Sequence, residues 1–454
     1  MRIRLCCVLT LLVMGRIGFA QVGPLQLIGR AVEDATDEKY KSIGEAIGLF
    51  YRGDVVGAGR MLDDAKRANP ELPPGAVMLA QLYFAGNQIN QVRAQLENAV
   101  TNDPSDPEAY LLFGDLALRE GRTTDAEALF TRGMTLCQRL TGNEFRQTSL
   151  TLSGYSGLAA AAARRGQWAV VERNTRSWLE LDPNSVPARS QLGRALFFLN
   201  KPQSAYKEFQ TLHKANPMTP LAEINMALLY EELVAQGDVA KRASASNAMR
   251  KAEEVDAENP LTRLAVARWA VDACELEMAE RNAKAALEID GKSLDAKLLV
   301  GVIARHRKQW AEAEAMFRDL HLLAPANFEV LRHLALVLAE QQDPAKQQLA
   351  LSYAELGFRA NSDLTGPMGR EAAVTLAWVF FKLRRQADAF GTAQNALRAG
   401  DIGDESTYMV ARIVSDAGQP ELGLRLLQPV LAKKQCFAFR EDAERLLRQL
   451  KSTE

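Results

Sequence analysis

Aromatic residues make up only 7% of this 454-residue chain, cysteines number five and histidines four, and 55 Lys and Arg nearly cancel 56 Asp and Glu to leave a formal charge of −1. Each shortage excludes something. A near-zero charge offers no long-range field for nucleic acid or anionic lipid, and the basic doublets Arg164-Arg165, Lys241-Arg242 and Arg384-Arg385 are scattered, so no nucleic-acid partner is expected. The cysteines are no disulfide framework: Cys6 and Cys7 lie at the start, while Cys137, Cys274 and Cys436 are far apart and odd in number. They read as buried helix-packing residues, and the fold is expected to stand on packing alone. His213, His306, His321 and His333 lack the spacing of a zinc or di-iron site, so no metal is expected.

Long apolar runs are missing as well. The run from Leu5 to Met14 is about ten residues, against the roughly twenty that cross a bilayer. Arg2 and Arg4 precede it, and Gly18-Phe19-Ala20 places small residues before Gln21, which is the layout of a secretory signal peptide. Residues 1–20 are therefore expected to be a cleaved address, the mature chain to be periplasmic or extracellular, and no membrane span to remain after cleavage. What the chain has in excess is alanine, roughly 15% of its residues, which with leucine far outweighs valine, isoleucine and threonine. Such a composition predicts helix throughout.

Proline recurs after Asn or Asp at Pro70, Pro104, Pro183, Pro217 and Pro260, and again after Ala324 at Pro325. Several of these intervals are about 34 residues, the length of a stacked helical hairpin. Aligned on proline as position 32, position 8 is small almost everywhere, as at Ala80, Gly114, Ala159, Gly193, Ala227, Ala267, Gly301, Ala335 and Ala377. Position 20 holds Ala126, Ala205, Ala279, Ala313 and Ala389, position 27 holds Ala99, Gly133, Ala286 and Ala396, and large residues such as Phe130, Phe209 and Phe317 alternate with them. Two antiparallel helices approach to about 8 Å only where a small residue sits at the crossing, with a neighbouring aromatic filling the space beside it. Gly121, Gly166 and Gly237 fall just past the first helix of their units, where a left-handed residue ends a helix. Ser105 to Glu108 and Thr124 to Glu127 both fit the capping-box pattern.

The pattern resembles the tetratricopeptide repeat family, most clearly over Asp106 to Thr131, Val186 to Pro217 and Leu294 to Pro325. The fold expected is an all-α solenoid of about ten to eleven such hairpins forming a superhelix. Its organisation is a signal peptide over 1–20, a lead-in over 21–38, the solenoid over 39–431 and a C-terminal capping helix over 432–454, whose apolar face holds Ala443, Leu446, Leu447 and Leu450.

Catalytic constellations are not found. Gly53, Gly57 and Gly59 lack the Lys-Ser/Thr ending of a phosphate loop and mark the first hairpin's turn; acid pairs such as Glu231-Glu232 and Glu253-Glu254 read as solvated faces. No catalytic residue, no cofactor and no enzyme activity are expected. What remains is surface. In the family, first helices line a concave groove through positions 2, 5, 9, 12 and 13, which commonly holds a peptide or partner helix. Carried over, these positions are Gln81, Phe84, Asp115, Arg194, Phe197, Arg268, Arg305, Trp378 and Phe381, with Asn225 beside them at position 6. The resemblance thus implies a scaffold or adaptor of the cell envelope with another protein or peptide as partner. The alternative is an exported scaffold of a polysaccharide or lipid assembly or export system with a non-protein ligand.

Overall fold

The computed structural model describes residues 23–433 and 436–452. The address expected over residues 1–20 lies outside them. Among the described residues are 24 α-helices and no strand, and the chain divides into two units, 1–232 and 233–454. In the first unit a short helix α1 (Pro24–Ile28) precedes five hairpins: α2 (Lys41–Tyr51) with α3 (Val55–Ala68), α4 (Gly75–Ala85) with α5 (Ile89–Asn102), α6 (Pro107–Arg119) with α7 (Thr123–Cys137), α8 (Glu144–Arg164) with α9 (Trp168–Leu181), and α10 (Val186–Phe198) with α11 (Pro202–Ala215). Next in sequence come α12 (Ala222–Ala235) and α13 (Arg242–Val255). The second unit then continues with five more: α14 (Pro260–Asp272) with α15 (Leu276–Ile289), α16 (Leu294–His306) with α17 (Trp310–Leu323), α18 (Phe328–Glu340) with α19 (Pro344–Ala360), α20 (Pro367–Lys382) with α21 (Gln386–Ala399), and α22 (Asp404–Asp416) with α23 (Pro420–Ala432). Helix α24 (Arg440–Lys451) ends the chain. Each unit is thus an all-α array of stacked helical hairpins, as the repeat predicts.

The small-and-large alternation has a direct steric cause. A methyl group on Gly114 would come within 2.7 Å of the Phe130 ring, one on Gly193 within 2.7 Å of Phe209, and one on Gly301 within 2.8 Å of Phe317. Each pair joins the two helices of one hairpin, and the phenylalanine is almost wholly buried in every case. Replacing a glycine hydrogen by a methyl group here overpacks the crossing, whereas removing the ring leaves a void.

The turn inside most hairpins is the same left-handed stop, while in α18–α19 Gln341 stands at φ −81° instead. Gly121, Gly166 and Gly237 have φ of 77°, 69° and 110°. At the equivalent place stand Asn87, Asn200, Cys274, Lys308 and Arg384, with φ between 54° and 62°, which the glycine signal does not reveal. In these left-handed turns the following N–H reaches back five residues, as Arg122 to the Ala117 carbonyl and Glu275 to that of Ala270. The capping-box reading needs correction. Pro107 fixes the first helical residue, so Asp106 is the cap and accepts from the Glu108 N–H at 2.9 Å; Thr124 lies inside α7.

The cysteine reading is half right. Cys137 is free and buried in a helix, but Cys274 and Cys436 form a disulfide with Cα atoms 5.2 Å apart and 162 residues between them. Cys274 occupies the left-handed turn of α14–α15 and Cys436 lies just before α24, so only the fold brings them together. The second unit is therefore stapled as well as packed. Closing so long a loop restricts the unfolded chain strongly, and replacing both cysteines by serine is expected to destabilise this unit by about 2–4 kcal/mol. Thermal unfolding of the double variant beside the parent checks it, and an unchanged midpoint would contradict it.

Candidate partner-binding surface

First helices of neighbouring hairpins touch one another, α6 with α8, α14 with α16, α16 with α18, α18 with α20 and α20 with α22. Side chains at the family's groove positions therefore share a face within each unit. In both units the chain's own residues cover part of that face.

In the first unit the lead-in does so. Pro24 lies beside Gly44 of α2, α1 packs on α4, and the Ala31 carbonyl accepts from Asn143 Nδ2, next to the start of α8, at 2.8 Å. Leu27, Ile28, Ala31 and Val32 are buried along this path, so the lead-in is packed structure. Beneath it Gln81 donates to Glu108 Oε1 at 3.0 Å, and Arg146 holds both Asp106 (2.7 Å) and Glu108 (3.1 Å) in a buried triad. Burial pushes the Glu108 carboxyl up against the pull of Arg146. The same burial lifts Asp115 to about 6, opposed by the charges of Arg30 and Arg119. Phe84 lies under the Arg119 guanidinium at 4.4 Å.

Further along, Arg194 binds Glu232 at 2.6 Å and sits over the rings of Trp168 and Phe198, which stack at 4.4 Å. Phe197 is buried, edge-on to Tyr230 at 5.1 Å. Asn225 donates to the Pro220 and Leu221 carbonyls, each at 3.0 Å, and so braces the start of its own helix.

In the second unit Arg268 has a long contact of 3.9 Å with Asp295, both half-buried. Arg305 differs. It is 2% exposed and forms a two-pronged pair with Glu405 of α22, at 2.8 and 3.0 Å. Arg332 of α18 binds the same carboxylate at 3.2 Å and Glu371 of α20 at 3.4 Å, while Glu371 accepts from Ser406 Oγ and the Gly403 N–H. One ionic network thus ties four successive first helices. Trp378 is 2% exposed, donates to Glu340 Oε1 at 2.8 Å and stacks with Phe381 at 5.3 Å. Arg305 and Trp378 were expected to line an open groove; the structure buries them, because the first helices approach closely enough for α16 to meet α22. The sequence reading missed Arg146, Arg332, Glu371 and Glu405, whose ion-pair partners lie 38 to 100 residues away and carry no spacing signal. Beside Cys274, Arg250, Glu253, Arg263, Glu275 and Arg281 line an open depression, with Glu253 paired to Arg263 and Arg281.

Two histidines adjoin the network. Burial, with the Arg305 charge adding to it, pushes His306 down to about 4 and His333 well below its ordinary value; the His333 ring stacks on Phe317 at 5.1 Å. Both are neutral at pH 7. Between pH 6.5 and 4 the unfolded chain binds protons that the folded unit refuses, so stability falls with pH, and the depressed Glu405 extends the loss below about 4.5. Asp115 has the opposite sign, because folded carboxyl takes its proton at about 6, before the unfolded one does. From pH 7 to 5 the second unit is therefore expected to lose roughly 2 kcal/mol through His306 alone and more through His333, while the first holds or gains. Hydrogen exchange by mass spectrometry, corrected for intrinsic rates, checks this; equal losses in both units would contradict it.

No family model matches the chain. Over 116 residues it is 30% identical to cellulose synthase operon protein C of Pseudomonas fluorescens (strain SBW25), an overlap of 26% of this chain and 9% of that protein. Over 410 residues it is 22% identical to the protein of the same name from Xanthomonas axonopodis pv. citri (strain 306), covering 84% of this chain and 26% of the other. The chain thus spans between 9% and 26% of the length of these curated relatives. Among solved structures it is similar to yeast Tom70, with a TM-score of 0.41 and 13% identity over 92% of this chain and 97% of that one. Among the described residues no helix is long and apolar enough to cross a membrane, and no group of three or more His, Cys, Asp or Glu is placed to hold a metal ion.

Proposed function

We propose that this chain is an exported, non-catalytic scaffold that binds another protein through its hairpin face within a polysaccharide-assembly system of the cell envelope. The observation that carries this reading is the 410-residue similarity to cellulose synthase operon protein C, which runs along most of the repeat array. The repeat surface supports it: Arg194 with its Trp168–Phe198 stack and the half-buried Arg268 are the residue types that anchor interfaces. Export is supported by the Cys274–Cys436 bridge, since structural disulfides persist in oxidising compartments. Cross-linking in the native envelope, followed by capture of the full chain, is expected to recover a protein partner that the pair Arg194→Glu and Arg268→Glu loses. Recovery of the same proteins with both forms would count against the surface.

A second reading replaces the protein partner with the polysaccharide itself, and the relatives' name favours it. Glucan binding by the purified chain without any other protein would select it.

A further inference from the structure

A cap at the end of a helical stack touches only the last hairpin. The C-terminal segment of this chain does more. Beyond its packing on α22 and α23, Cys436 is bonded to Cys274 in the α14–α15 turn, and its N–H donates to the Asp272 carbonyl at 3.2 Å. Asp442 pairs with Lys308 in the α16–α17 turn at 2.9 Å. Between these anchors Phe439 enters an aromatic bed, its ring 6.4 Å from Trp310, 5.8 Å from Trp378 of α20 and 5.7 Å from Tyr408 of α22. Phe437, Ala438 and Phe439 are buried there. The segment therefore lies lengthwise across four hairpins, passing into helix α24 directly after Phe439.

We propose that Trp310, Trp378 and Tyr408, with Lys308 at the rim, are a docking surface for a partner segment that starts a helix at an aromatic residue and carries an acidic one three residues on, in the first turn. The chain's own C-terminal segment occupies this surface until the Cys274–Cys436 bridge is reduced. The inference rests on the protein-binding reading above and adds the partner's chemistry and its control. The occupant defines the chemistry: Phe439 fills the bed and Asp442 meets the lysine.

The bridge explains how so well-buried a segment could yield. Cys274 is exposed at its turn, within reach of a small thiol. A dithiol reductant attacks one sulfur, and the second thiol of the reductant resolves the mixed disulfide. The S–S bond breaks, two electrons and two protons pass to Cys274 and Cys436, and the reductant leaves as its own disulfide. The segment is then held covalently only through α23, and its effective concentration over the bed falls, so a competing segment can enter.

The test uses the full chain, oxidised or treated with dithiothreitol, and a fluorescent peptide copying residues 436–451 with serine in place of Cys436. Reduction is expected to speed hydrogen exchange of residues 437–451 at least tenfold while the first unit stays unchanged. The peptide is expected to bind the reduced chain at least tenfold more tightly than the oxidised one. Phe439→Ala keeps the bridge but vacates the bed, and should admit the peptide without reductant. Unchanged protection of 437–451 after reduction, or no peptide binding by either the reduced chain or Phe439→Ala, overturns the proposal. In that case a partner still captured by the oxidised chain in the envelope would leave the scaffold reading standing.

Discussion

Replacing Glu405 by alanine is expected to destabilise the second unit by about 3–5 kcal/mol, roughly 10 °C in its unfolding midpoint for a unit of this size. The carboxylate is the shared partner of Arg305 and Arg332, both on other hairpins. Those two arginines already have buried Nε groups without a hydrogen-bond partner, and when Glu405 goes Arg305 loses its two-pronged pair while Arg332 keeps only Glu371 at 3.4 Å. Two cations on the neighbouring first helices α16 and α18 would then be left in a place water reaches poorly. The network itself is a weak net contributor, since desolvating its members offsets most of their attraction. The triple variant Glu405→Leu, Arg305→Met and Arg332→Met should therefore recover much of what Glu405→Ala loses. Chemical denaturation of both variants, read through exchange of second-unit peptides, checks the pair of expectations. A loss below about 1 kcal/mol for the single variant would show that the site is hydrated, against the burial found here.

The second large effect is expected at Phe130. Its ring is 1% exposed, and it lies against two glycines: a methyl group on Gly114 would approach it to 2.7 Å and one on Gly157, on the next hairpin, to 2.3 Å. Phe130→Ala leaves a void at both crossings and should cost about 3–5 kcal/mol. Gly157→Ala overpacks the same space and should cost about 1–3 kcal/mol. Because the two changes act on one volume, Phe130→Leu combined with Gly157→Ala should lose less than the sum of its singles. Denaturant midpoints for the three variants form the cycle, and strict additivity would show that ring and glycine do not share that space.

The glycine–phenylalanine crossings were legible in the sequence because a repeat displays each contact many times. Gly114, Gly193 and Gly301 recur at one position and Phe130, Phe209 and Phe317 at another, so a local steric rule becomes a periodic signal. The turns at Gly121, Gly166 and Gly237 were legible for the same reason. Those at Cys274, Lys308 and Arg384 were not, because a side chain that tolerates the left-handed region only with strain leaves no mark in composition. Among the groove positions, the sequence placed Gln81, Asp115, Arg194 and Arg268 on first helices, and the structure finds them there. It could not tell that Arg305 and Trp378 are buried.

By itself, then, the sequence determined the local and repeated part of this protein: helices, hairpin period, crossing residues and the face on which each groove position lies. Those depend on interactions within about 34 residues, which the pattern contains. Only the tertiary structure decided which of those faces stay open. Glu405 reaches Arg305 across 100 residues, Cys436 reaches Cys274 across 162, and Ala31 meets Asn143 across 112. Contacts that long depend on small rotations accumulated from hairpin to hairpin, and no single residue spacing encodes them.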